Sequence, residues 1–245
     1  MRNLSASYGG DAEAVKDISF TVGDGETAAI LGANGAGKTS LFLSMVGIIP
    51  ITKGSITVDT VEALPEAETP GGRRKAAAIR EELRRRVGLV FQNPDDQLFM
   101  PLIYDDLAFG PRNMGLDETE VRRRVDAALR ALGITGLRSR SPLRLSGGEK
   151  RLAAIAAVLT MGPSVMLLDE PTAFLDPRSR RTLMTVIRGL PHTRLIATHD
   201  ISFAVELCPR VILLKDGAIR AQGPAAELLN DVELMEECGL ADSVR

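Results

Sequence analysis

The sequence feature that most constrains the fold is a glycine-rich segment at residues 32–39, which reads GANGAGKT. It has the pattern G-x-x-x-x-G-K-T and lies between a short apolar run, Thr27–Leu31, and a predicted helix from Lys38 to about Val46. A strand, this loop and then a helix is the arrangement in which backbone N–H groups surround a phosphate group. The segment therefore predicts a nucleotide-binding loop within an α/β fold.

Each residue type in this segment suits a different part of a nucleotide phosphate chain. Glycines allow the loop to turn its N–H groups inward, toward a β-phosphate. Lys38 supplies a mobile cation for the β- and γ-phosphate oxygens, and the Thr39 hydroxyl is expected to ligate Mg²⁺. A glycine-rich turn with an incidental lysine is the alternative, and the flanking strand and helix argue against it. The predicted nucleotide-contacting residues are Gly32, Asn34, Gly35, Gly37, Lys38, Thr39 and Ser40.

A second motif follows the apolar run at residues 165–168 and consists of two carboxylates, Asp169 and Glu170. A buried strand here would bring Asp169 rigidly to the carboxyl edge of a sheet, where open α/β sheets bind ligands. Asp169 would hold Mg²⁺, directly or through water, and Glu170 would polarise the attacking water as a general base. A strand followed by an ordinary polar turn is the alternative, and the phosphate loop in the same chain favours the catalytic interpretation.

Short apolar runs alternate with helical patterns along the rest of the chain, which indicates an α/β fold with a largely parallel sheet. The other predicted strands are residues 16–22, 55–58, 87–91, 195–198 and 211–214. Residues 95–163 carry helix signals and no strong strand, so they are predicted to form an inserted helical subdomain. Within it, Asp117 and Glu120 are expected to form a capping box.

Three further stretches complete the predicted organisation. The Pro-, Glu- and Gly-rich residues 64–78 are expected to form a loop insertion, and the tail from Pro224 a small helical cap. The predicted divisions are a core of residues 1–94 and 164–222, a helical subdomain of about 95–163 and a cap of about 223–245. His192 is expected to be exposed and uninvolved, and the arginine runs 84–86 and 122–124 to be solvated helix faces.

Residues 145–149 read LSGGE and precede a predicted helix at residues 150–159. With the two motifs above, this segment resembles the signature of ABC ATPases, and the resemblance extends over nearly the whole chain. It implies an α/β, P-loop (RecA-like) ABC ATPase core, with an antiparallel β subdomain and an inserted helical subdomain, that binds and hydrolyses ATP with Mg²⁺. It also implies a head-to-tail dimer, in which Ser146, Gly147 and Gly148 of one subunit contact the ATP of the other. Ser146 is also expected to be the N-cap of the helix, which is the simpler interpretation of this serine.

The resemblance implies roles for residues outside these motifs. Gln92 matches the glutamine that senses the γ-phosphate and the partner protein, and His199 matches the switch histidine. Tyr8 occupies the place of an aromatic ring that stacks on adenine, and residues 174–176 (FLD) match the loop at the dimer seam. The implied catalytic set is Lys38, Gln92, Glu170 and His199, and the implied Mg²⁺ ligands are Thr39, Gln92 and Asp169.

Residues 87–99 (VGLVFQNPDDQLF), the signature segment and residues 206–214 resemble the A components of energy-coupling-factor importers, most closely the cobalt and nickel members. This implies work at the cytoplasmic face of a membrane, with a second A subunit, identical or a paralogue. A membrane T component would dock near Gln92–Gln97, and a membrane S component would bind the metal ion or a vitamin. Asp95 and Asp96 are expected either to pair with basic residues of the T component or to cap the next helix.

Composition and length weigh against other classes of protein. The chain has 30 basic and 32 acidic side chains, so bulk charge gives no sign of nucleic-acid binding. A soluble ABC ATPase of DNA repair or the ribosome is the alternative, but such proteins carry a coiled-coil or zinc insertion or a tandem domain. The segment from Gln92 to Ser146 is too short for a coiled coil, and the chain has only two cysteines. A catalytically dead regulator would lack Glu170 or His199.

Overall fold

The structure is a computed structural model that describes residues 1–9, 12–65 and 69–240. The described residues form two compact units. The first contains residues 1–87, 164–169 and 192–240, and the second contains residues 88–163 and 170–191. No helix in this described part combines the length and the apolarity needed to cross a bilayer.

Strands and helices alternate along the chain, as the apolar pattern predicted. The strands are β1 (Arg2–Ala6), β2 (Val15–Ile18), β3 (Thr27–Leu31), β4 (Ile51–Val58), β5 (Val61–Ala63), β6 (Val87–Val90), β7 (Val165–Asp169), β8 (Thr193–Thr198), β9 (Arg210–Lys215) and β10 (Ala218–Pro224). The helices are α1 (Lys38–Met45), α2 (Pro70–Arg86), α3 (Ile103–Asn113), α4 (Glu118–Ala131), α5 (Gly147–Leu159), α6 (Pro177–Gly189), α7 (Ile201–Leu207), α8 (Ala225–Leu228) and α9 (Val232–Glu237).

A mostly parallel sheet forms the centre of the first unit, where strands are adjacent in the order β10–β9–β3–β8–β7. β3 pairs in parallel with both β8 and β9, β7 pairs in parallel with β8, and β10 runs antiparallel to β9. Every residue of β3 is buried, which explains why its sequence is continuously apolar rather than alternating. The parallel alignment places the carboxyl ends of β3, β7 and β8 at one edge of the sheet, where such folds bind ligands.

The first unit also contains the expected antiparallel sheet, with strand order β2–β1–β4–β5. The predicted strand at residues 16–22 is shorter than expected, because β2 ends at Ile18. Asp17 has a φ of 49°, and its N–H donates to the Ser5 hydroxyl instead of a backbone carbonyl. Phe20 is still buried, so the apolar alternation continues beyond the regular strand.

The prediction of a loop at residues 64–78 is wrong from residue 70 onward, and residues 66–68 lie outside the described part. The Thr69 hydroxyl caps the helix by accepting from the N–H of Gly72, and Pro70 occupies the first turn. Proline is compatible with that position because the first N–H groups of a helix have no partner within it. Three alanines, at positions 76–78, then favour continuation of the helix.

Helix α4 of the second unit begins at a side-chain cap that is simpler than predicted. Asp117 caps α4 by accepting from the N–H groups of Thr119 and Glu120. The expected reciprocal bond from Glu120 is not formed, because this carboxylate pairs with Arg123 and Arg124 instead. The stretch 95–163 contains helices and no strand.

Three side chains that were expected to be solvated are held or partly buried in the structure. Arg84 donates from Nε to the Val46 carbonyl oxygen at 2.9 Å, so it fixes the end of α1. Arg124 donates to the carbonyl oxygens that follow α5, at 3.3 Å. His192 is half-buried rather than exposed, and burial lowers its pKa, with a smaller effect from Arg194.

Gly88 provides a test of the packing in the second unit. A Cβ at this position would lie 2.2 Å from Cγ1 of the buried Val158 side chain. Gly88→Ala is therefore expected to destabilise the protein by about 1–3 kcal/mol, the usual cost of overpacking, and to lower the melting temperature measured by circular dichroism. Gly189→Ala is the matched control, because no described atom lies within 4 Å of a Cβ there. Equal melting temperatures for the two variants would contradict the close packing of Gly88 against Val158.

Candidate functional site

The glycine-rich segment forms a tight loop between β3 and α1 in the first unit. A Cβ on Gly32 would lie 2.5 Å from the Leu214 carbonyl oxygen, so a larger residue cannot fit there. Gly35 and Gly37 have φ values of 84° and 100°, in the region that favours glycine. Gly37 is also the N-cap of α1. The glycines are thus required by the backbone that directs the start of α1 toward a ligand.

Lys38 lies inside this loop and is almost fully buried, at 6% exposure. Its Nζ donates to the carbonyl oxygens of Gly32 at 2.7 Å and Ala33 at 3.2 Å. These contacts hold the ammonium group at the centre of the loop. A phosphate oxygen is a stronger acceptor than a neutral carbonyl for this cation, so the geometry suits phosphate binding.

Thr39 and Asp169 meet at the carboxyl edge of the sheet, although 130 residues separate them. The Thr39 hydroxyl donates to Oδ2 of Asp169 at 2.7 Å. Asp169 is the last residue of β7 and is 3% exposed, so its carboxylate is rigidly placed. Mg²⁺ prefers oxygen ligands, and here a hydroxyl oxygen and a carboxylate oxygen lie side by side. The two residues therefore fit the predicted metal.

Two other predicted residues of the first unit lie on its surface. The Tyr8 side chain is 66% exposed, with its hydroxyl 3.2 Å from the hydroxyl of Ser40. An exposed ring next to the phosphate loop suits stacking on a base. His199 immediately follows β8 and is exposed, while Asp200 caps the next helix, α7. The parallel sheet therefore brings the end of β8 to the same edge as Asp169.

Glu170, the predicted general base, belongs to the second unit. It is 5% exposed and has a φ of 41°. A non-glycine residue in this left-handed region costs about 1–3 kcal/mol, and such strain is concentrated at functional sites. The burial and the backbone both indicate a carboxylate held in one position.

Gln92 is exposed, but its backbone is anchored by a residue to which the sequence interpretation gave no role. Arg151, on α5, donates to the carbonyl oxygens of Phe91 at 2.7 Å and Gln92 at 2.5 Å. Arg151 is 2% exposed and directly precedes the apolar run at residues 152–159. An arginine in a buried helix stripe was the signal that could have identified it.

The signature segment begins α5 with a complete capping box. The Ser146 hydroxyl accepts from the N–H of Glu149, and the Glu149 carboxylate accepts from the N–H of Ser146. The Ser146 N–H, and to a lesser extent the Ser146 hydroxyl, donate to the Glu149 carboxylate and lower its pKa. This contribution to stability is therefore present above the usual glutamate pKa and is lost as the pH falls through the lowered one. Gly148 is required locally, since a Cβ there would lie 2.6 Å from the Ser179 hydroxyl.

In the loop predicted at the dimer seam, residues 174–176, one residue caps a helix and another is exposed to solvent. Asp176 caps α6 by accepting from the N–H groups of Arg178 and Ser179, and hydrogen bonding with Ser179 lowers its pKa. Phe174 is 98% exposed, with a φ of 62°. An apolar ring held in solvent by a strained backbone suits contact with another molecule.

The segment that follows Gln92 is held by polar contacts within the second unit. Asp95 accepts from Lys150 Nζ at 2.6 Å, and Gln97 accepts from the N–H of Phe91. The alternative expectation for Asp95 and Asp96, that they cap the next helix, is wrong. Both lie inside a short 3-10 turn that Asn93 caps, and α3 begins after Leu102 without a side-chain cap bond.

A buried carboxylate, Asp106, fixes the end of this segment. Its Oδ1 accepts from the N–H groups of Phe99 and Met100. Burial raises its pKa, although those two bonds act in the opposite direction. The segment from Gln92 to Met100 is therefore positioned by backbone contacts at both ends, although it contains no regular strand or long helix.

Comparisons with known proteins match the chain to one family. The model of the ABC transporter family matches residues 15–173. A Geobacter sulfurreducens protein, whose name assigns it provisionally to the ATP-binding proteins of ABC transporters, is 44% identical over 98% of this chain and 92% of its own length. The energy-coupling factor transporter ATP-binding protein EcfA of Methanothermobacter thermautotrophicus is 39% identical over 98% of this chain and 75% of its own length.

A solved structure has the same fold over nearly the whole chain. It is cbiO1 from Clostridium perfringens, described as part of the ABC transporter complex cbiONQ. It superimposes with a TM-score of 0.80 at 38% identity, covering 98% of this chain and 93% of that one. The predicted α/β fold class is thereby confirmed.

The capping box can be tested by its effect on stability. Ser146→Ala removes the hydroxyl that accepts from Glu149 N–H, so we expect a loss of about 1 kcal/mol. That loss corresponds to a decrease of about 2–4 °C in the melting temperature, measured by circular dichroism. Ser141→Ala is the control, because Ser141 precedes a 3-10 turn without a side-chain cap bond. A similar decrease in both variants would mean that the capping box does not stabilise α5.

Proposed function

The chain belongs to the ABC transporter family, as an ATP-hydrolysing subunit, and from this premise we propose that it powers an energy-coupling-factor importer of cobalt, nickel or a vitamin. The observation that carries the nucleotide chemistry is the phosphate loop, in which Lys38 is buried and Thr39 contacts Asp169 at 2.7 Å. The importer class is supported by the similarity to EcfA and to cbiO1, at 39% and 38% identity.

ATP binding is proposed to use the first unit. The N–H groups of residues 32–39 and the start of α1 receive the β-phosphate, and Lys38 pairs with the β- and γ-phosphate oxygens. Tyr8 stacks on the adenine, and Ser40 contacts the phosphate chain next to Thr39. Thr39, Asp169 and Gln92 are the residues that would hold Mg²⁺, which when bound neutralises charge on the β- and γ-phosphates.

Hydrolysis is proposed to use Glu170 as the general base. Its carboxylate accepts a proton from the water that attacks the γ-phosphorus atom. Gln92 and His199 orient the water and the γ-phosphate, so that their loss slows turnover more than binding. The strained backbone at Glu170 supports this role, because a fixed carboxylate needs less reorganisation in the transition state.

A head-to-tail dimer is proposed to complete each site. Ser146, Gly147 and Gly148 of one subunit would contact the ATP bound to the other, since the start of α5 offers N–H groups to an anion. Two large apolar side chains of the same unit, Leu143 and Phe174, are 89% and 98% exposed. Exposed apolar side chains in the unit that contains the signature support a surface that becomes covered.

The membrane T component is proposed to dock on the segment near Gln92–Gln97, and an S component to bind the transported substrate without contacting this chain. Three apolar side chains, Phe99, Leu102 and Phe109, are 60%, 39% and 41% exposed. The rings of Phe99 and Phe109 meet edge to face at 5.1 Å. Contact with a membrane partner would place this subunit at the cytoplasmic face of the membrane.

Glu170→Gln tests the assignment of the base. The amide cannot take a proton, so we expect ATP hydrolysis to fall about 10²–10⁴-fold while ATP binding is retained. The trapped ATP should also hold two subunits together, which light scattering measures as a doubled mass. Glu227→Gln on α8 is the control, because Glu227 is exposed and distant from the motifs in sequence. A monomeric Glu170→Gln variant at saturating ATP would count against the dimer.

The importer class is tested by a tagged pull-down from detergent-solubilised membranes of the native organism, with partners identified by mass spectrometry. We expect a second A subunit and small integral membrane proteins, without a periplasmic binding protein. The S component would then identify the substrate. Co-purification of ribosomes or repair proteins instead would exclude the importer and leave the ATPase chemistry unchanged.

A further inference from the structure

An apolar cleft in the first unit takes no part in the proposed ATP cycle. It lies among the end of α1, strands β4 and β5, and helix α2, and its volume is about 210 Å³. Its floor includes Ile49, Ala63 and Leu83, which are at most 4% exposed. Residues 72, 75 and 76 of the lining belong to the part of α2 for which a loop was predicted.

Helix α2 presents one continuous face to this cleft. The residues that line it are Gly72, Lys75, Ala76, Ile79, Arg80 and Leu83, at spacings of three and four, so they share one side of the helix. Gly72 and Ala76 are small, which leaves space between the helix and the strands. The outer face carries Arg74 and Ala78, which are exposed and do not line the cleft.

The charged side chains of the lining are both cations. Lys75 is exposed and has no hydrogen bond or ion pair with any residue that the structure describes. The aliphatic stem of Arg80 packs against Gly47, where a Cβ would lie 2.8 Å from Arg80 Cγ. No carboxylate lines the cleft within residues 12–65 and 69–240. A neutral ligand would leave the charge of Lys75 unmatched, whereas an anion would complement it.

We propose that this cleft is a binding site for a small molecule with an apolar body and one anionic group, such as a medium-chain carboxylate. The apolar body lies on Ile49, Ala63 and Leu83, and the anionic group remains at the mouth, beside Lys75. The volume exceeds the roughly 150 Å³ that holds benzene in an engineered cavity and is below the roughly 300 Å³ of drug-sized sites. An eight-carbon chain is therefore a suitable probe.

The experiment is an NMR titration of the full-length protein labelled at its isoleucine methyl groups, with octanoate as the probe. Octanol has the same apolar body without the charge, and acetate has the charge without the body. We expect octanoate to shift the methyl signals of Ile49 and Ile79, with a Kd on the order of 1 mM or below. Octanol should bind at least about fivefold more weakly, and acetate should cause no shift. The Ile196 signal, in the centre of the large sheet, should not change.

Paired variants locate the site. Ala76→Phe fills the cleft and should abolish the octanoate shifts, whereas Ala78→Phe, on the outer face, should not. Lys75→Glu should weaken octanoate binding at least about fivefold, whereas Arg74→Glu should leave the Kd within about twofold. If Ala76→Phe fails to fold, the comparison of Lys75→Glu with Arg74→Glu remains decisive, because both are surface residues.

Two results would overturn the proposal. The first is the absence of octanoate shifts at Ile49 and Ile79, or their persistence in a folded Ala76→Phe variant, which would show that the cleft is not the site. The second is equal affinity for octanol and octanoate, or for the Lys75→Glu and Arg74→Glu variants, which would show that the anion is not recognised.

Discussion

The parallel pairing of β3 with β8 and β9 is the constraint on which the site in the first unit depends. The pairing aligns the carboxyl ends of neighbouring strands, so residues distant in sequence reach one edge of the sheet. The phosphate loop follows β3, Asp169 ends β7 and His199 follows β8. The hydrogen bond between Thr39 and Asp169 at 2.7 Å is a direct product of this alignment. Because β3 is buried on both faces, the phosphate loop starts from a rigid strand. The glycines of the loop then allow the close turn that surrounds Lys38.

The second unit relies on helix α5 rather than on a sheet. One end of this helix is the capped signature, where Ser146 and Glu149 bond reciprocally. One turn further on, the buried Arg151 holds the backbone of Phe91 and Gln92. A charged group with so little exposure is stable only when its hydrogen bonds are made, so the position of Gln92 and the packing of α5 depend on each other. A change in the signature helix would therefore also affect the segment proposed to meet the membrane partner.

Helix α2 shows how an insertion can create a surface that the ATPase core does not require. Small residues on its inner face leave a cleft against β4 and β5, while Arg84 ties the helix to the end of α1. A helix with larger inner residues would pack closely and leave no space. The combination of an apolar floor and a cationic mouth is what distinguishes this cleft from ordinary incomplete packing.

The sequence by itself determined the nucleotide loop, the Asp169–Glu170 pair, the capped signature and the α/β class, because each depends on local spacing or on a buried apolar strand. Only the tertiary structure decided features that depend on distant partners. Residues 70–78, part of the loop predicted at residues 64–78, belong to a helix, since its contacts with β5 and the Thr69 cap favour it over the effect of its glycines. Asp95 pairs with Lys150 across 55 residues, and Arg151 reaches two carbonyl groups about 60 residues away. Local pattern cannot reveal such contacts, because the free energy that stabilises them comes from side chains that only the folded chain brings together.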